Sequence, residues 1–305
     1  MHLNNDELSK SELWAKADIK LPEFDRKAMI ETTLTSPVWI HFGAGNIFRA
    51  FPAVLQQCLL DAGSASSGII VAEGYDTEII DRMYHPYDNL SLLVTLKSDG
   101  SIAKTVIGSI AEALKIDSYD SSDCQRMKEI FRSPGLQIAS FTITEKGYSL
   151  VNGKGEMFPD VLKDLVVGPS NPKSYIGKIT ALLVERYNHG KHPLALVSLD
   201  NCSHNGTMLH RAIQPFAEKW AELGLVEKGF VDYIDDPKSV SFTWSMIDKI
   251  TPRPDESVRK MLLDVGFEDT ESIVTKKNTY IAPFVNAEEC QYLIIEDNFP
   301  NGRPA

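Results

Sequence analysis

The 305-residue sequence predicts an α/β fold of the Rossmann type, a mostly parallel sheet flanked by helices and carrying extra strands. Three observations predict it. A short apolar run, Val38–Phe42, leads directly into Gly43 and Gly45 and then into a helical pattern over Ile47–Asp61 that Gly63 stops. A second apolar run, Ile69–Ala72, ends on an acidic residue, Glu73. Far downstream a third, Leu194–Leu199, runs into a dense polar turn and another helical pattern.

The glycine turn has a specific physical reading. Gly43 lets the chain reverse tightly, and Gly45 has no Cβ to hold a pyrophosphate away from the backbone. A helix beginning here would aim free N–H groups and its positive end at phosphates. Phe48 stands where the third glycine of a G-x-G-x-x-G motif would be. Arg49 is a candidate phosphate or substrate partner, with a solvated helix charge as the alternative. Glu73 or Asp76 stands where a dinucleotide fold grips the adenosine ribose; a solvated loop carboxylate is the alternative for both. Glu73 follows Gly45 by 28 residues, more than the usual ~20. An acidic group there would repel the extra phosphate of NADP and favour NAD.

Length and composition bound the rest. The chain can bury one large core or two modest ones, and 43% hydrophobic with 24% charged residues is the composition of a soluble globular protein. A formal net charge of −11 argues against nucleic acid or an anionic membrane as the main partner. The four cysteines, Cys58, Cys124, Cys202 and Cys290, are far apart and read as reduced thiols. With a polar N-terminus that lacks an apolar signal core, this predicts a cytoplasmic protein with a small-molecule partner. Oligomeric state is not legible.

Along the chain, residues 1–37 form an arm with a short helix over Asp6–Ala17, and residues 38–285 form the dinucleotide-binding domain. Within it, Leu90–Leu96 and Lys104–Ile110 predict a hairpin about Ser98-Asp99-Gly100. Cys124–Phe131 predicts a helix and Leu136–Ile143 a strand, whose polar end carries Thr144 and Glu145 where an open α/β sheet places its ligand. Asn152–Pro172 reads as a surface excursion, Tyr175–Asn188 and Thr207–Leu223 as helices, Phe230–Asp232 and Ser239–Trp244 as extended, and Val258–Val265 as helical. Residues 286–305 read as a connector.

The polar turn D-N-C-S-H-N-G at Asp200–Gly206 admits three chemistries. Cys202, His204 and His210, with His189 and His192, could ligate a metal, although no carboxylate or second thiolate stands at ligand spacing. Cys202 could be a nucleophile served by His204. Asn201 could donate a neutral hydrogen bond to substrate or nicotinamide. Asp248 lies within apolar sequence, which predicts a carboxylate that is paired or functional.

Five ordered motifs, G-A-G-N-I-F-R-A, T-I-T-E-K-G-Y, S-L-D-N-C-S-H-N-G, M-I-D-K-I-T-P and I-E-D-N-F-P-N-G-R-P, together resemble the polyol-specific long-chain dehydrogenase/reductases. That family includes mannitol 2-dehydrogenases and the mannonate oxidoreductases, or fructuronate reductases; the tract Y-D-T-E-I-I-D-R-M-Y is nearer the mannonate type. The resemblance covers about residue 38 to the end. It implies metal-free hydride transfer between NAD, or less favourably NADP, and a secondary alcohol of a polyol or sugar acid. It also implies cofactor contacts at Gly43, Gly45, Asn46, Phe48 and Arg49, and catalytic roles for Asn201, which would hold the reacting oxygen, and Asp248, which would orient the catalytic lysine or a substrate hydroxyl. Here Phe48 and Arg49 are adjacent, without the family's intervening histidine, and Lys249 replaces an arginine. The family's general-base lysine lies in a K-x-x-x-x-N-x-x-H helix of a second, helical domain, and that pattern does not occur in these 305 residues. The resemblance therefore implies the cofactor domain of a longer enzyme, inactive alone. A domain that holds NAD without catalysis and a sugar-phosphate dehydrogenase, such as a mannitol-1-phosphate dehydrogenase, are the alternatives.

Overall fold

The computed structural model describes residues 1–116 and 121–303. Pro304 and Ala305, the end of the connector, lie outside the described residues. In chain order the strands are β1 (Ile19–Lys20), β2 (Trp39–Phe42), β3 (Ile69–Glu73), β4 (Ser91–Leu96), β5 (Ile102–Ile107), β6 (Ile110–Lys115) and β7 (Ile138–Phe141). There follow β8 (Leu194–Ser198), β9 (Val240–Thr243), β10 (Ser245–Lys249), β11 (Ile273–Val274), β12 (Tyr280–Ile281), β13 (Phe284–Glu288) and β14 (Gln291–Ile295).

Six of them lie side by side in the order β6-β3-β2-β7-β8-β9, every neighbouring pair parallel. The chain builds outward from β2 through β3 to β6, then crosses back to β7 and builds the other way. That reversal opens a crevice above the carboxyl ends of β2 and β7, where α/β sheets bind ligands. β3, β7 and β8 are buried along their whole length, which is why they read as unbroken apolar runs. The helices Ser122–Arg132, Tyr175–Asn188 and Asn205–Glu222 contribute Phe131, Leu182, Phe216 and Trp220 to the largest apolar cluster, together with Ile40, Phe42 and Phe141 from the sheet.

A second sheet, ordered β1-β5-β4-β13, is built from the predicted hairpin flanked by two distant strands. The 1–37 arm supplies β1, and its first residues are tied to the far end of the chain: the Leu3 N–H donates to Asp269 at 2.6 Å. The 286–305 segment holds the end of β13 and all of β14, which pairs antiparallel with β10 in a two-stranded ribbon. Among the described residues no helix is long and apolar enough to cross a membrane. All four cysteines are free thiols.

Five local expectations need correction. The Asp6–Ala17 helix is two helices, Asn5–Leu8 and Ser11–Lys16. The Ile47–Asp61 helix is two helices, Asn46–Ala50 and Pro52–Asp61, broken at Phe51 (φ −137°, ψ −73°). Pro52 removes an N–H and drives the preceding residue out of the helical region, so it opens the second helix instead of continuing the first. The Lys104–Ile110 strand ends at Ile107, and after Gly108-Ser109 the chain enters the other sheet as β6. A change of sheet within two residues leaves no loop for the sequence to announce. Phe230–Asp232 is helical within Gly229–Asp235, where Phe230, Tyr233 and Ile234 share the buried face. The Asn152–Pro172 excursion contains a helix, Pro159–Val167, started by its proline.

Candidate functional site: the crevice above the parallel sheet

The glycine turn follows β2. Gly43 has φ +116°, and a Cβ built there would stand 2.3 Å from the Thr142 carbonyl oxygen at the end of β7. The adjoining turns pack this closely only because residue 43 is glycine. Gly45 is different: φ is −76° and a Cβ would meet nothing within 4 Å. Its side-chain space opens to the crevice. The Gly43 N–H bonds the Ala72 carbonyl, and the Ala44 N–H donates to Glu73 Oε2 at 2.8 Å. The N–H groups of Gly45, Asn46 and Ile47 have no acceptor among the described residues, and all three residues are half-exposed.

Buried groups hold this turn from below. The Tyr84 hydroxyl donates to the Ala44 carbonyl at 2.9 Å, so both polar groups of Ala44 are fixed. Burial pushes the Tyr84 phenol well above its ordinary range and keeps it a donor. A hydrogen-bond chain crosses β2 and β7. Trp39 Nε1–H donates to Ser140 Oγ at 2.7 Å, Ser140 donates to His41 Nδ1 at 2.7 Å, His41 Nε2–H donates to Thr142 Oγ1 at 2.8 Å, and Thr142 donates to the Gly43 carbonyl at 3.4 Å. The direction follows from its ends, since an indole can only donate and a carbonyl only accept, and this assigns the Nε2–H tautomer to His41. His41 is fully buried and stacked on Phe48 at 4.3 Å; burial lowers its pKa to about 3.

The predicted cofactor residues are therefore not equivalent. Phe48 is wholly buried, so its ring faces the core and not the crevice; the third glycine position serves packing. Arg49 is 1% exposed, which excludes a solvated helix charge. Glu73 is also buried, and accepts the N–H groups of Tyr75 and Asp76 on Oε1 as well as that of Ala44 on Oε2. It locks the turns after β2 and β3 to each other. Asp76 is 3% exposed and accepts the hydroxyls of Thr275 and Thr279 at 2.5 and 2.6 Å, so it anchors the loop before β12 and is not a solvated carboxylate. Nearby, the Tyr175 ring lies against Gly74, and its buried hydroxyl has no partner among the described residues.

On the other side of the crevice, Asp200 joins the turns after β7 and β8. It accepts the N–H groups of Ile143 and Thr144 at 3.0 and 2.9 Å and the Tyr148 hydroxyl at 2.5 Å. Burial raises its pKa, and these three donors pull against that shift. Thr144, a β-branched residue, sits at φ +62°, a strained conformation that the Asp200 clamp maintains. Glu145 is exposed beside it. Asn201 is exposed, and its side chain has no partner among the described residues. Its neighbour Asn205, which sequence reasoning missed, organises the turn. Buried beneath it, Asn205 Nδ2 lies within 3.2 Å of the Ser198, Asp200 and Ser245 carbonyls, while Oδ1 accepts the Ser245 and Gly206 N–H groups. Replacing Asn205 with alanine should lower unfolding free energy by about 2–3 kcal/mol. Asn201→Ala should change it by less than about 0.5 kcal/mol. Urea denaturation of the two variants checks the contrast.

The other chemistries of the Asp200–Gly206 turn do not assemble. No group of three or more His, Cys, Asp or Glu among the described residues could hold a metal ion. His204 points edge-on to Trp244, His210 bonds Asp235 at 2.9 Å and His189 bonds the Glu185 carbonyl. Burial and the Asp200 carboxylate raise the Cys202 pKa, the wrong direction for a nucleophilic thiolate. Asp248 also departs from expectation. It is exposed on β10, opposite Tyr292 of β14, because a two-stranded ribbon covers only one face. Met246, Ile294 and Tyr292 share that outer face, with 60%, 52% and 45% of their surfaces exposed. The carboxylate therefore stands among apolar residues that are themselves uncovered, so it has no need of an internal partner.

The chain is similar to known proteins. Residues 38–305 match the family model described as the mannitol dehydrogenase Rossmann domain. The whole chain aligns at 49% identity over 304 residues with D-mannonate oxidoreductase of Thermotoga maritima, covering 56% of it. A mannitol 2-dehydrogenase of Cereibacter sphaeroides is 30% identical over 291 residues, 93% of this chain and 54% of that one. The structure of Pseudomonas fluorescens mannitol 2-dehydrogenase in a ternary complex with NAD and D-mannitol superimposes with a TM-score of 0.78 at 28% identity, covering all of this chain and 56% of that one. The chain thus spans somewhat over half the length of these relatives. On the extent of the family match, this chain belongs to the mannitol dehydrogenase family, and residues 38–305 are its Rossmann domain.

Proposed function

We propose that the chain binds NAD in the crevice above β2 and β7 and is the cofactor domain of an oxidoreductase acting on a sugar acid or polyol. The observation that carries this reading is the turn at Gly45–Ile47, where three unpaired N–H groups border open space at the topological switch point. Those donors and that space fit a pyrophosphate. NAD, when bound, supplies the hydride-accepting ring. Asn201, exposed just after β8 and without a partner among the described residues, is free to donate to the substrate oxygen and stabilise its developing charge. Glu73 keeps the turns in register, and its negative charge favours NAD over NADP. The mannonate-type similarity favours a mannonate/fructuronate pair over mannitol/fructose.

The 305 residues lack the K-x-x-x-x-N-x-x-H pattern, so cofactor binding without turnover is expected of this chain alone. Calorimetric titration should give NAD binding at least several-fold tighter than NADP, and stopped assays with mannonate or mannitol should give no turnover. Failure to bind either nucleotide sinks the cofactor assignment. Turnover at an ordinary enzymatic rate sinks the assignment of the general base to a different segment.

A further inference from the structure

A groove runs along the helix Asn205–Glu222, between it and residues 151–167. The helix Pro159–Val167 forms part of the far wall, and the Trp220 Nε1–H ties the two helices together by donating to the Asp164 carbonyl at 2.8 Å. Two depressions lie end to end in the groove, of about 420 Å³ and about 350 Å³, and neither is enclosed. Met208, Arg211 and Ala212 line the first, facing Val151 and Met157. Pro215, Glu218 and Glu222 line the second, facing Leu162 and Val166. Taken together, the lining residues of the long helix recur every three or four positions, so they form one straight stripe. The two depressions are centred roughly 12 Å apart along it, at 1.5 Å per residue.

The far wall is apolar and uncovered. Of the twenty large apolar residues exposed among the described ones, six fall within residues 151–167, with Leu162 at 52% and Val166 at 64%. That density in one short segment marks a contact surface, where single exposed apolar residues would not. The helix side adds polar groups between the depressions. The Arg211 guanidinium has no hydrogen bond or ion pair among the described residues, and Glu145, which lines the same depression, is more than 4.0 Å from it. The Arg211 carbonyl has no donor either. Four positions on stands Pro215, which lacks an N–H, and no other donor among the described residues reaches that carbonyl.

The geometry points to an amphipathic helix of a partner protein as the occupant of this groove. Its large apolar side chains, about two turns apart, seat in the two depressions, and an acidic residue between them pairs with Arg211. Straightness, apolar seats at two-turn spacing and an unpaired cation between them are the features by which a groove reads a helix. Leu162, Val166, Met208 and Arg211 have no part in the nucleotide reading, so the inference stands apart from it.

Fluorescence anisotropy with labelled peptides tests it. The probe is an alanine-rich helical peptide with two phenylalanines seven residues apart and one glutamate between them on the same face. One control has the phenylalanines three residues apart, and the other has lysine in place of the glutamate. The 305-residue chain should bind the probe at least tenfold tighter than either control. Leu162→Asp should weaken the probe at least tenfold with a melting temperature within about 1 °C of wild type, because the side chain is half in solvent. Arg211→Glu should reverse the preference, binding the lysine peptide tighter than the glutamate one. No binding of the probe at millimolar concentration overturns the inference. So does equal affinity for all three peptides, or a preference that Arg211→Glu leaves unaltered. Should Leu162→Asp lower the melting temperature, the reversal in Arg211→Glu, at an exposed position, decides alone.

Discussion

Between pH 6.5 and about pH 4 the protein is expected to lose about 3 kcal/mol of stability through one side chain, His41. The unfolded chain takes up a proton at this histidine near its ordinary value of 6.5, whereas the folded protein resists until about pH 3. In that window the unfolded state binds more protons, so stability falls as pH falls, by about 1.4 kcal/mol per unit at most. Above about pH 7.5 the contribution is complete and flat. The cause is burial, which strips water from the imidazolium in a fully buried site; to accept a second ring proton, Ser140 would also have to turn its hydroxyl hydrogen away from Nδ1. Chemical unfolding across this range checks it, with His41→Gln as the reference for the other titrating groups. The variant should be less stable at pH 7 and shallower by about one proton between pH 6 and 4. Equal slopes in the two proteins would refute the assignment.

The second large effect separates the two glycines of the turn. Gly43→Ala should destabilise the fold by about 3–5 kcal/mol, from steric overlap with backbone plus a left-handed φ. The clash is with the Thr142 carbonyl, which cannot swing aside as a side chain could, because β7 is paired on both sides. Gly45→Ala should leave stability within about 0.5 kcal/mol of wild type, since its backbone is in an ordinary region and its Cβ meets nothing. Its effect should appear in NAD affinity, weakened about tenfold or more by a methyl group in the space meant for phosphate. Thermal unfolding and nucleotide titration on both variants give four measurements. A tolerated Gly43→Ala, or a Gly45→Ala that binds NAD normally, contradicts the corresponding half.

Much of this fold was legible because parallel strands buried on both faces leave unbroken apolar runs. β2, β3, β7 and β8 all announced themselves in that way, and the helix Tyr175–Asn188 has the limits its periodicity predicts. β6 did not, because two residues separate it from a strand of the other sheet. The positions of the site were readable for the same reason: residues that follow such strands gather at one edge. Their roles were less so. Whether Glu73 and Asp76 face a ribose or their own backbone depends on Ala44, Thr275 and Thr279, which no local pattern connects to them. Asp248 has apolar neighbours in sequence, which predict burial, but β10 has an open outer face that leaves it exposed. Tyr84 and Asn205, which hold the turns in place, are ordinary residues in sequence; only the requirement that a buried hydroxyl or amide find partners could have singled them out.

The contact between Arg49 and the Ala282 carbonyl has a consequence for synthesis. The strand and glycines of the turn leave the ribosome early, but the carbonyl that fixes the guanidinium comes 233 residues later. At ordinary elongation rates that is a delay of about 10–50 s. β4 waits somewhat less long, from Leu92 to Phe284, for β13, its parallel partner. During that interval the nascent chain holds an unfinished sheet edge and a solvated arginine, so the second sheet and the arginine's burial are both completed late in synthesis.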